Sequence, residues 1–505
     1  MGDLRSEPGQ SPSWSDKAQS LTLPSQLFVD GSFVDAAGGE TLEKFSPIDG
    51  RSLGEVASGQ AADVARAVRA AQLAFDDGRW SGLDPADRKA LMVRFAEEIE
   101  RSSERLALAE TLDVGKPIVN TLAVDAPGTA ATIRWYAETI DKTYDEIAPA
   151  PQGRLALVTR EPLGVVGAVV PWNYPSMILS WKVGPALAAG NTVVVKPAEQ
   201  SPHSALVIAE AAQAAGIPDG VLNVVTGFGE TAGKALGLHD DVTKIAFTGS
   251  AEVGRMFQRY AADSNGKQVS IEAGGKSPQL VLESAEDLQR IAESVAWGVF
   301  YNVGQTCNAG SRLIVHESLV DELVTRIVEF TEKTFVPGDP LDENTQFGAV
   351  ADHAQLDKVC GYIEQGRRTA HLVTGGNRVR EETGGFYLEP TIFAHVQNSD
   401  AIAQDEIFGP VLTVSSFASE QEGVRLANDT RYGLVASVWT AELSAAHRVS
   451  GQLHAGTVWV NTFDESSIIT PFGGFKDTGS GRDKSLHALH AYSALKTTWI
   501  NWAQS

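Results

Sequence analysis

The sequence predicts an α/β protein whose strands run parallel, arranged in two successive units. Short β-branched runs recur about every 20 to 30 residues through the middle of the chain, at Val165–Val170, Thr192–Val195, Val221–Val225, Lys244–Phe247 and Val269–Ile271. Ala-rich stretches of helical character, such as Trp181–Ala189 and Ala205–Ala215, separate them. Strands that alternate with helices make a parallel sheet covered on both faces. From about Ser277 the alternation restarts with Leu280–Leu282, Leu313–Val315 and Leu372–Thr374, which predicts a second sheet and makes both units Rossmann-type.

In chain order, residues 1–25 read as a disordered tail, rich in Ser, Pro and Asp near its start. Gly2 and Ser6 match a loose myristoylation pattern, but one acyl chain anchors weakly and a solvated tail is the simpler reading. No basic stretch followed by an apolar core marks a signal peptide. Val64, Val68, Ala71 and Phe75 share one helical face. Asp84-Pro85 reads as an N-cap followed by proline at the first helical position, with Leu91, Phe95 and Ile99 as the apolar face. Ile133, Ala137 and Ile140 mark a third helix. Gly216-Ile-Pro218 is a helix stop, with glycine at the left-handed cap and proline beyond it. Leu155–Thr159 and Thr497–Ile500 are strands without a neighbour in sequence. Pairing across subunits is expected for them, and with it a homodimer or homotetramer.

Composition removes several classes of function. The 505 residues are 43% hydrophobic and 21% charged, which excludes a disordered, collagen-like or coiled-coil chain. Lys+Arg number 41 against 64 Asp+Glu, a net charge of −23 that repels nucleic-acid phosphates and anionic membranes; neither is expected as a partner. The longest apolar run, around Gly164 to Val170, is far shorter than the ~20 residues of a membrane span. Two cysteines, Cys307 and Cys360, make no disulfide framework and no zinc site, which fits a reducing compartment and a cytoplasmic protein. His487 and His490, three apart, lack a third ligand, and no catalytic metal is expected.

Candidate chemistry gathers at the ends of the predicted strands. Thr248-Gly-Ser-Ala-Glu-Val-Gly254 follows Lys244–Phe247 and opens a helix, where backbone N–H groups and the helix dipole can hold a pyrophosphate. It is not the six-residue dinucleotide fingerprint, and a tight turn without a ligand reads equally well. Gly227-Phe-Gly-Glu-Thr-Ala-Gly233 is a second, similar cluster. Lys196 and Glu199 sit just past Thr192–Val195; a carboxylate there suits the ribose hydroxyls of NAD and repels the 2′-phosphate of NADP, or the two form a surface ion pair. Cys307 stands in Gly304-Gln-Thr-Cys-Asn-Ala-Gly-Ser311, poor core material and therefore a candidate nucleophile, whereas Cys360 lies in a helix-like run. Glu272, before Ala273-Gly-Gly275, is either a functional carboxylate at a strand end or a helix cap. Asn173, in Pro171-Trp-Asn-Tyr-Pro175, can donate to an oxyanion or close an Asx turn.

Read together, seven motifs resemble the aldehyde dehydrogenase superfamily in order and spacing. They are Pro171-Trp-Asn-Tyr-Pro175, Lys196-Pro-Ala-Glu199, Phe247-Thr-Gly-Ser250, Glu272-Ala-Gly-Gly-Lys276, Gly304-Gln-Thr-Cys307, Glu406-Ile-Phe-Gly-Pro410 and Pro471-Phe-Gly-Gly-Phe-Lys476. The resemblance runs from about Leu27 to Trp502 and implies an aldehyde-dehydrogenase-like fold with a small β oligomerisation element. It implies a NAD-binding domain at 26–142 and 162–275, a catalytic domain at 276–480, and oligomerisation segments at 143–161 and 481–505. It implies Cys307 as nucleophile, Glu272 as general base, and Asn173 with the Cys307 N–H as oxyanion hole. The cofactor, NAD with NADP also acceptable, would meet Val170, Pro171, Trp172, Lys196, Glu199, Gly229, Gly233, Phe247, Thr248, Gly249, Ser250, Val253, Ala273, Gly274, Glu406 and Phe408. Ala273 departs from the family, where many members carry Leu; looser packing is expected there, with the chemistry intact. A free thiol has a pKa of about 8.5, so such a site is expected to favour the thiolate by charge or dipole. Members that pass the acyl group to coenzyme A commonly lack Glu272, so its presence implies hydrolysis to the free acid.

The same resemblance places Asp125, Tyr174, Met177, Trp181, Thr306, Asp464 and Phe472 at the aldehyde tunnel. Aromatic faces can hold a cation there. Asp125 matches an acidic position of aminoaldehyde dehydrogenases, or it is a solvated helix residue. Gly481-Arg-Asp-Lys-Ser-Leu-His-Ala488 is similar to bacterial enzymes of polyamine breakdown. The implied substrate is an ω-aminoaldehyde or γ-glutamylaminobutanal; a broad-specificity aliphatic or betaine-type aldehyde is the alternative. Two other classes remain open: a thiol esterase or acyl-transferring enzyme without nicotinamide, separable by cofactor titration, and a non-catalytic structural protein of the same fold, separable by aldehyde protection of the thiol.

Overall fold

The structure is a computed structural model that describes residues 12–502, so the Gly2/Ser6 lipidation pattern lies outside the described residues. Two seven-stranded sheets form its framework. Across the first, the order is Gln268–Ala273, Val242–Gly249, Val165–Val169, Thr192–Lys196, Leu222–Val224, Leu27–Val29 and Ser32–Val34. The five strands from Val165 to Ala273 are parallel, and the Leu27–Val34 hairpin adds two antiparallel strands at one edge. In chain order the five run 3-2-1-4-5, and the order reverses between Val165–Val169 and Val242–Gly249. Open sheets of this kind bind ligands outside the carboxyl ends of the two strands at such a reversal. Pro171–Asn173 and Thr248–Ser250 leave the sheet there.

The second sheet runs His371–Thr374, Thr391–Ala394, Val411–Phe417, Arg312–His316, Pro278–Val281, Val435–Trp439 and Thr457–Val460. Only its first pair is antiparallel. The chain passes from one sheet to the other between Ala273 and Pro278, so Glu272 stands at the junction. Both sheets are buried on two faces, which is why their strands read as unbroken β-branched runs.

Local signals set most of the boundaries. Gly216 ends the Pro202–Ala215 helix at φ 79°, as its glycine predicts. Helix Pro85–Arg101 begins at the expected proline, but the Asp84 side chain makes no capping bond. Two expectations are corrected. The tail is not disordered throughout: Trp14–Ser20 is a helix closed by a Ser13–Asp16 capping box, with Ala18 buried and Lys17 paired to Glu104 at 2.8 Å. The strands expected to lack a partner within the chain pair with each other. Ser493–Asn501 lies antiparallel to Arg154–Pro162 along its full length, with Glu146–Ala148 on the far side. Their partners were hidden because the pairing spans more than 300 residues of sequence.

Candidate active site

Two cavities meet at Cys307, which lines both. The first, about 180 Å³, lies at the order reversal of the first sheet, between Pro171–Asn173, Thr248–Ser250, Ala273-Gly274 and Glu406. Ser250 caps helix Ala251–Ala262, its hydroxyl accepting from Val253 N–H at 3.2 Å, so this N–H is already occupied. Gly274 has a steric reason: a Cβ there would stand 1.8 Å from Glu406 Oε1. Gly254 serves packing instead, since a Cβ there would meet Ile271 at 2.8 Å. Trp172 and Phe408 meet edge-to-face at 5.1 Å, with Phe408 held at φ 59° and its carbonyl accepting from Gln355 Nε2 at 2.7 Å.

This cavity fits a dinucleotide on its donor and acceptor inventory. Thr248 Oγ1 and Glu406 Oε1 are buried without a partner among the described residues, and a ribose offers hydroxyls to such atoms. Burial raises the Glu406 carboxyl to about 7, and the Lys358 charge opposes that rise. Lys196 is buried and pairs with Glu199 at 3.1 Å, so the ion pair anticipated as the simpler reading is present beside the groove. Val170 and Phe247 are buried in the sheet core, which leaves them only their backbone to offer. Gly229 and Gly233 lie on a π-helical turn and Val253 on the first turn of its helix; none of the three lines the cavity.

The Cys307 loop is fixed by its neighbours. Asn302, Val303 and Gly304 run consecutively at φ 49°, 57° and 71°, left-handed backbone that is costly for a β-branched residue. Long-range bonds hold it: Asn302 Nδ2 donates to Asn173 O at 3.1 Å, Asn173 Nδ2 to Gln305 O at 2.9 Å, and Ala351 N to Gln305 Oε1 at 2.9 Å. Asn173 therefore has one amide hydrogen engaged and a second to give. The expected bias toward thiolate is absent. Burial, then Glu406, Asp464 and Glu272, push the Cys307 thiol up to about 12. Burial is the largest cause, the three carboxylates add to it, and a backbone hydrogen bond at Asn308 opposes it.

Glu272 is buried, and it lines neither cavity. Both its oxygens lack a partner among the described residues. They sit beside the backbone of Gly473 and Gly481, where a Cβ would come within 2.6 and 2.8 Å. Burial and the Asp483 charge hold its carboxyl well above the usual range. Asp483 in turn pairs with the buried Lys182 at 2.5 Å. Sequence reading missed Lys182 and Asp483; their pairing spans 301 residues and leaves no local signal.

The second cavity, about 430 Å³, is the wider one. Tyr174, Met177, Trp181, Thr306, Asp464 and Phe472 all line it, as expected. Asp125 does not. Its neighbour Val124 does, while Asp125 is fully buried and paired to Lys116 at 2.7 Å. It is neither a substrate contact nor a solvated helix residue. The Lys116 ammonium sits 3.7 Å over the Tyr174 ring, and Glu110, held up to about 8 chiefly by burial and the Asp125 charge, completes a buried triad behind the cavity wall. Two carboxyls sharing one lysine keep one proton between them. Lys484, read from sequence only as part of a similar stretch, lines the cavity.

Paired, largely parallel sheets, a groove at a strand-order reversal with unpartnered Thr248 and Glu406 oxygens, and a partly buried thiol at its end define a nicotinamide-dependent dehydrogenase that works through cysteine. The chain belongs to the aldehyde dehydrogenase family, whose model matches residues 33–498. It is similar to the NADP/NAD-dependent aldehyde dehydrogenase PuuC of Escherichia coli K12, at 47% identity over 97% of this chain and 98% of that one. Its structure resembles a γ-glutamyl-γ-aminobutyraldehyde dehydrogenase of Burkholderia cenocepacia, with TM-score 0.95 and 53% identity over 97% of this chain and 99% of that one. It also resembles AldA, an indole-3-acetaldehyde dehydrogenase of P. syringae solved with NAD+, with TM-score 0.96 and 51% identity over 97% and 100%. The protein is an NAD(P)-dependent aldehyde dehydrogenase.

Proposed function

We propose that the protein oxidises an aliphatic aldehyde carrying a polar nitrogen-bearing tail, an ω-aminoaldehyde or γ-glutamylaminobutanal, to the free carboxylic acid. The observation that carries the reading is the position of Cys307 between the groove at the strand-order reversal and a cavity that combines aromatic rings with polar side chains. The names of a similar aminoacetaldehyde dehydrogenase of Pseudomonas aeruginosa, 47% identical over 96% of this chain, and of the B. cenocepacia enzyme support the substrate class.

In this reading the Cys307 thiol gives up its proton to water as its sulfur bonds the aldehyde carbon. Its oxygen takes up negative charge beside the free Asn173 amide hydrogen and the Cys307 N–H; one such donor is worth about 3 kcal/mol. Bound NAD(P) supplies the hydride acceptor. The carbon, having lost hydride, is a thioester of Cys307. Glu272 then turns from beside Gly473 toward the sulfur and takes a proton from water as the oxygen adds. The C–S bond breaks, the acid leaves and the thiol is restored. Burial and the Asp483 charge hold the Glu272 carboxyl above the usual range, so its capacity as base grows, and thioester hydrolysis quickens, as pH rises.

Leu495, Trp499, Ile500 and Trp502 are exposed on and just beyond the edge strand Ser493–Asn501, which supports a homodimer or homotetramer that covers them. Light scattering reads the mass directly. An arylacetaldehyde is the second reading, favoured by the tilted Trp181–Phe472 pair at 5.5 Å. Initial rates of NAD+ reduction with γ-glutamylaminobutanal, a straight-chain alkanal and phenylacetaldehyde separate the readings. The account expects the first to be fastest; an aryl preference replaces the tail assignment, and no rate with any of them removes the activity.

A further inference from the structure

The resemblance leads one to expect the cavity's aromatic faces to hold a substrate cation. The structure fills that position with the protein's own charge. Lys484 Nζ lies 4.6 Å from the Trp181 ring centroid and 5.2 Å from that of Phe472. It donates to Ser466 Oγ, and it makes no ion pair among the described residues. An ammonium has three hydrogens to give, so donors remain for a ligand. Asp464, the carboxylate in the same cavity, is held by Asn308 Nδ2 at 2.7 Å; its charge acts on the lysine, but the two form no ion pair among the described residues, so the ammonium keeps hydrogens for a ligand.

The lysine is held where it is by its backbone. Asp483, next to it, exchanges two backbone hydrogen bonds with Phe472, at 2.8 and 2.7 Å. Lys484 itself stands at φ 63°, a conformation an L-residue adopts only when its surroundings impose it. Lys484 is nearly excluded from solvent, so its ammonium is a partly desolvated charge facing a cavity of 430 Å³ that Cys307 also lines. A charge in this setting costs stability unless a partner arrives.

We infer that Lys484 is the specificity-determining residue of the tunnel and donates to an anionic group on the tail of the aldehyde. The inference rests on the aldehyde-oxidising reading above and narrows it, favouring the γ-glutamyl tail over the bare ω-aminoaldehyde. An aldehyde with a bare ω-ammonium tail would meet like charge over the rings. A tail carrying a carboxylate would meet the free donors of Lys484. A γ-glutamyl tail carries an ammonium as well, for which Asp464 is the available acceptor. A tail with both charges therefore suits this cavity better than a simple amine.

The test uses heptanal, its ω-ammonium analogue and its ω-carboxylate analogue, all of equal chain length, with the full-length enzyme, Lys484→Met and Lys484→Arg. Wild type is expected to favour the carboxylate over the ammonium tail at least tenfold in kcat/KM, through KM. Lys484→Met should lower the carboxylate-to-methyl ratio of kcat/KM at least tenfold, and Lys484→Arg should restore most of it. Equal tails in wild type, an ammonium preference, or losses in Lys484→Met that are the same for all three tails would overturn the inference while leaving heptanal oxidation intact. Failure to oxidise heptanal as well would instead remove the parent reading. Should Lys484→Met not fold, wild type alone decides by calorimetric titration with pimelate, heptanoate and its ω-ammonium analogue. Pimelate must bind at least tenfold tighter than the ammonium analogue; equal or reversed affinities overturn the inference.

Discussion

The two cavities at Cys307 are built differently. The groove at the strand-order reversal is made of strand ends, turns and one helix N-terminus, with Gly274 kept small beside Glu406 and the Trp172 and Phe408 rings on its wall. The wider cavity is made of side chains from distant parts of the chain, among them the opposite charges of Asp464 and Lys484, which form no ion pair among the described residues. The groove is thus tied to the sheet and hard to vary. The cavity can change its chemistry by single substitutions while the sheets stay as they are, and this is where relatives of one fold come to differ in substrate.

The largest effect expected at the shared wall is loss of the nucleophile. Cys307→Ala should lower turnover by about 10⁴-fold or more while NAD+ binding by fluorescence titration persists; surviving turnover would place the chemistry on another residue. Behind the aldehyde cavity, Lys116→Met leaves two buried carboxyls without a counter-ion. Breaking a buried pair costs about 3–5 kcal/mol, read as a lower denaturant midpoint at neutral pH. Asp125→Ala should be milder, because Glu110 can take over as counter-ion, and it should leave the relative rates with different aldehyde tails unchanged. A selective loss with cationic aldehydes would return Asp125 to the substrate.

On the groove side, Glu199→Gln should raise the KM for NAD+ by about tenfold, the worth of roughly 1.4 kcal/mol, and narrow the gap to NADP+. No change in either would mean that the Lys196–Glu199 pair serves structure alone. The subtlest test concerns the thiol. Because its neighbours raise it to about 12, the thiolate is the minor species of the ligand-free enzyme at neutral pH. Alkylation by iodoacetamide should climb about tenfold per pH unit through the neutral and mildly alkaline range. A plateau near neutrality would show a cation at the sulfur that the geometry lacks.

The same contrast explains what the sequence made legible. Strand positions, the Gly216 stop and the motifs at Pro171–Asn173 and Thr248–Ser250 could be read because their signals are local. So could Tyr174, Met177, Trp181, Thr306, Asp464 and Phe472 on the wider cavity and Thr248–Ser250, Ala273, Gly274, Glu406 and Phe408 on the other, whereas Gly229, Gly233, Val253, Glu272 and Asp125 line neither. The nine-residue link of Asp125 to Lys116 depends on a π-helical turn that sequence periodicity does not reveal. Lys182 with Asp483 and Asn308 with Asp464 are joined across 301 and 156 residues, where pattern carries no information. The same distance hid the pairing of Ser493–Asn501 with Arg154–Pro162. Burial, rather than pattern, turned the expected reactive thiolate into a thiol with a raised pKa.

The central claim is that aldehyde carbon is held on Cys307 until Glu272 releases it as acid. Rapid-quench analysis of Glu272→Gln tests it most directly. The account predicts a single burst of NAD+ reduction equal to the enzyme present, slow turnover after it, and an acyl mass on the peptide containing Cys307. Full steady-state acid production without a burst, or an acyl group on any other residue, would contradict it.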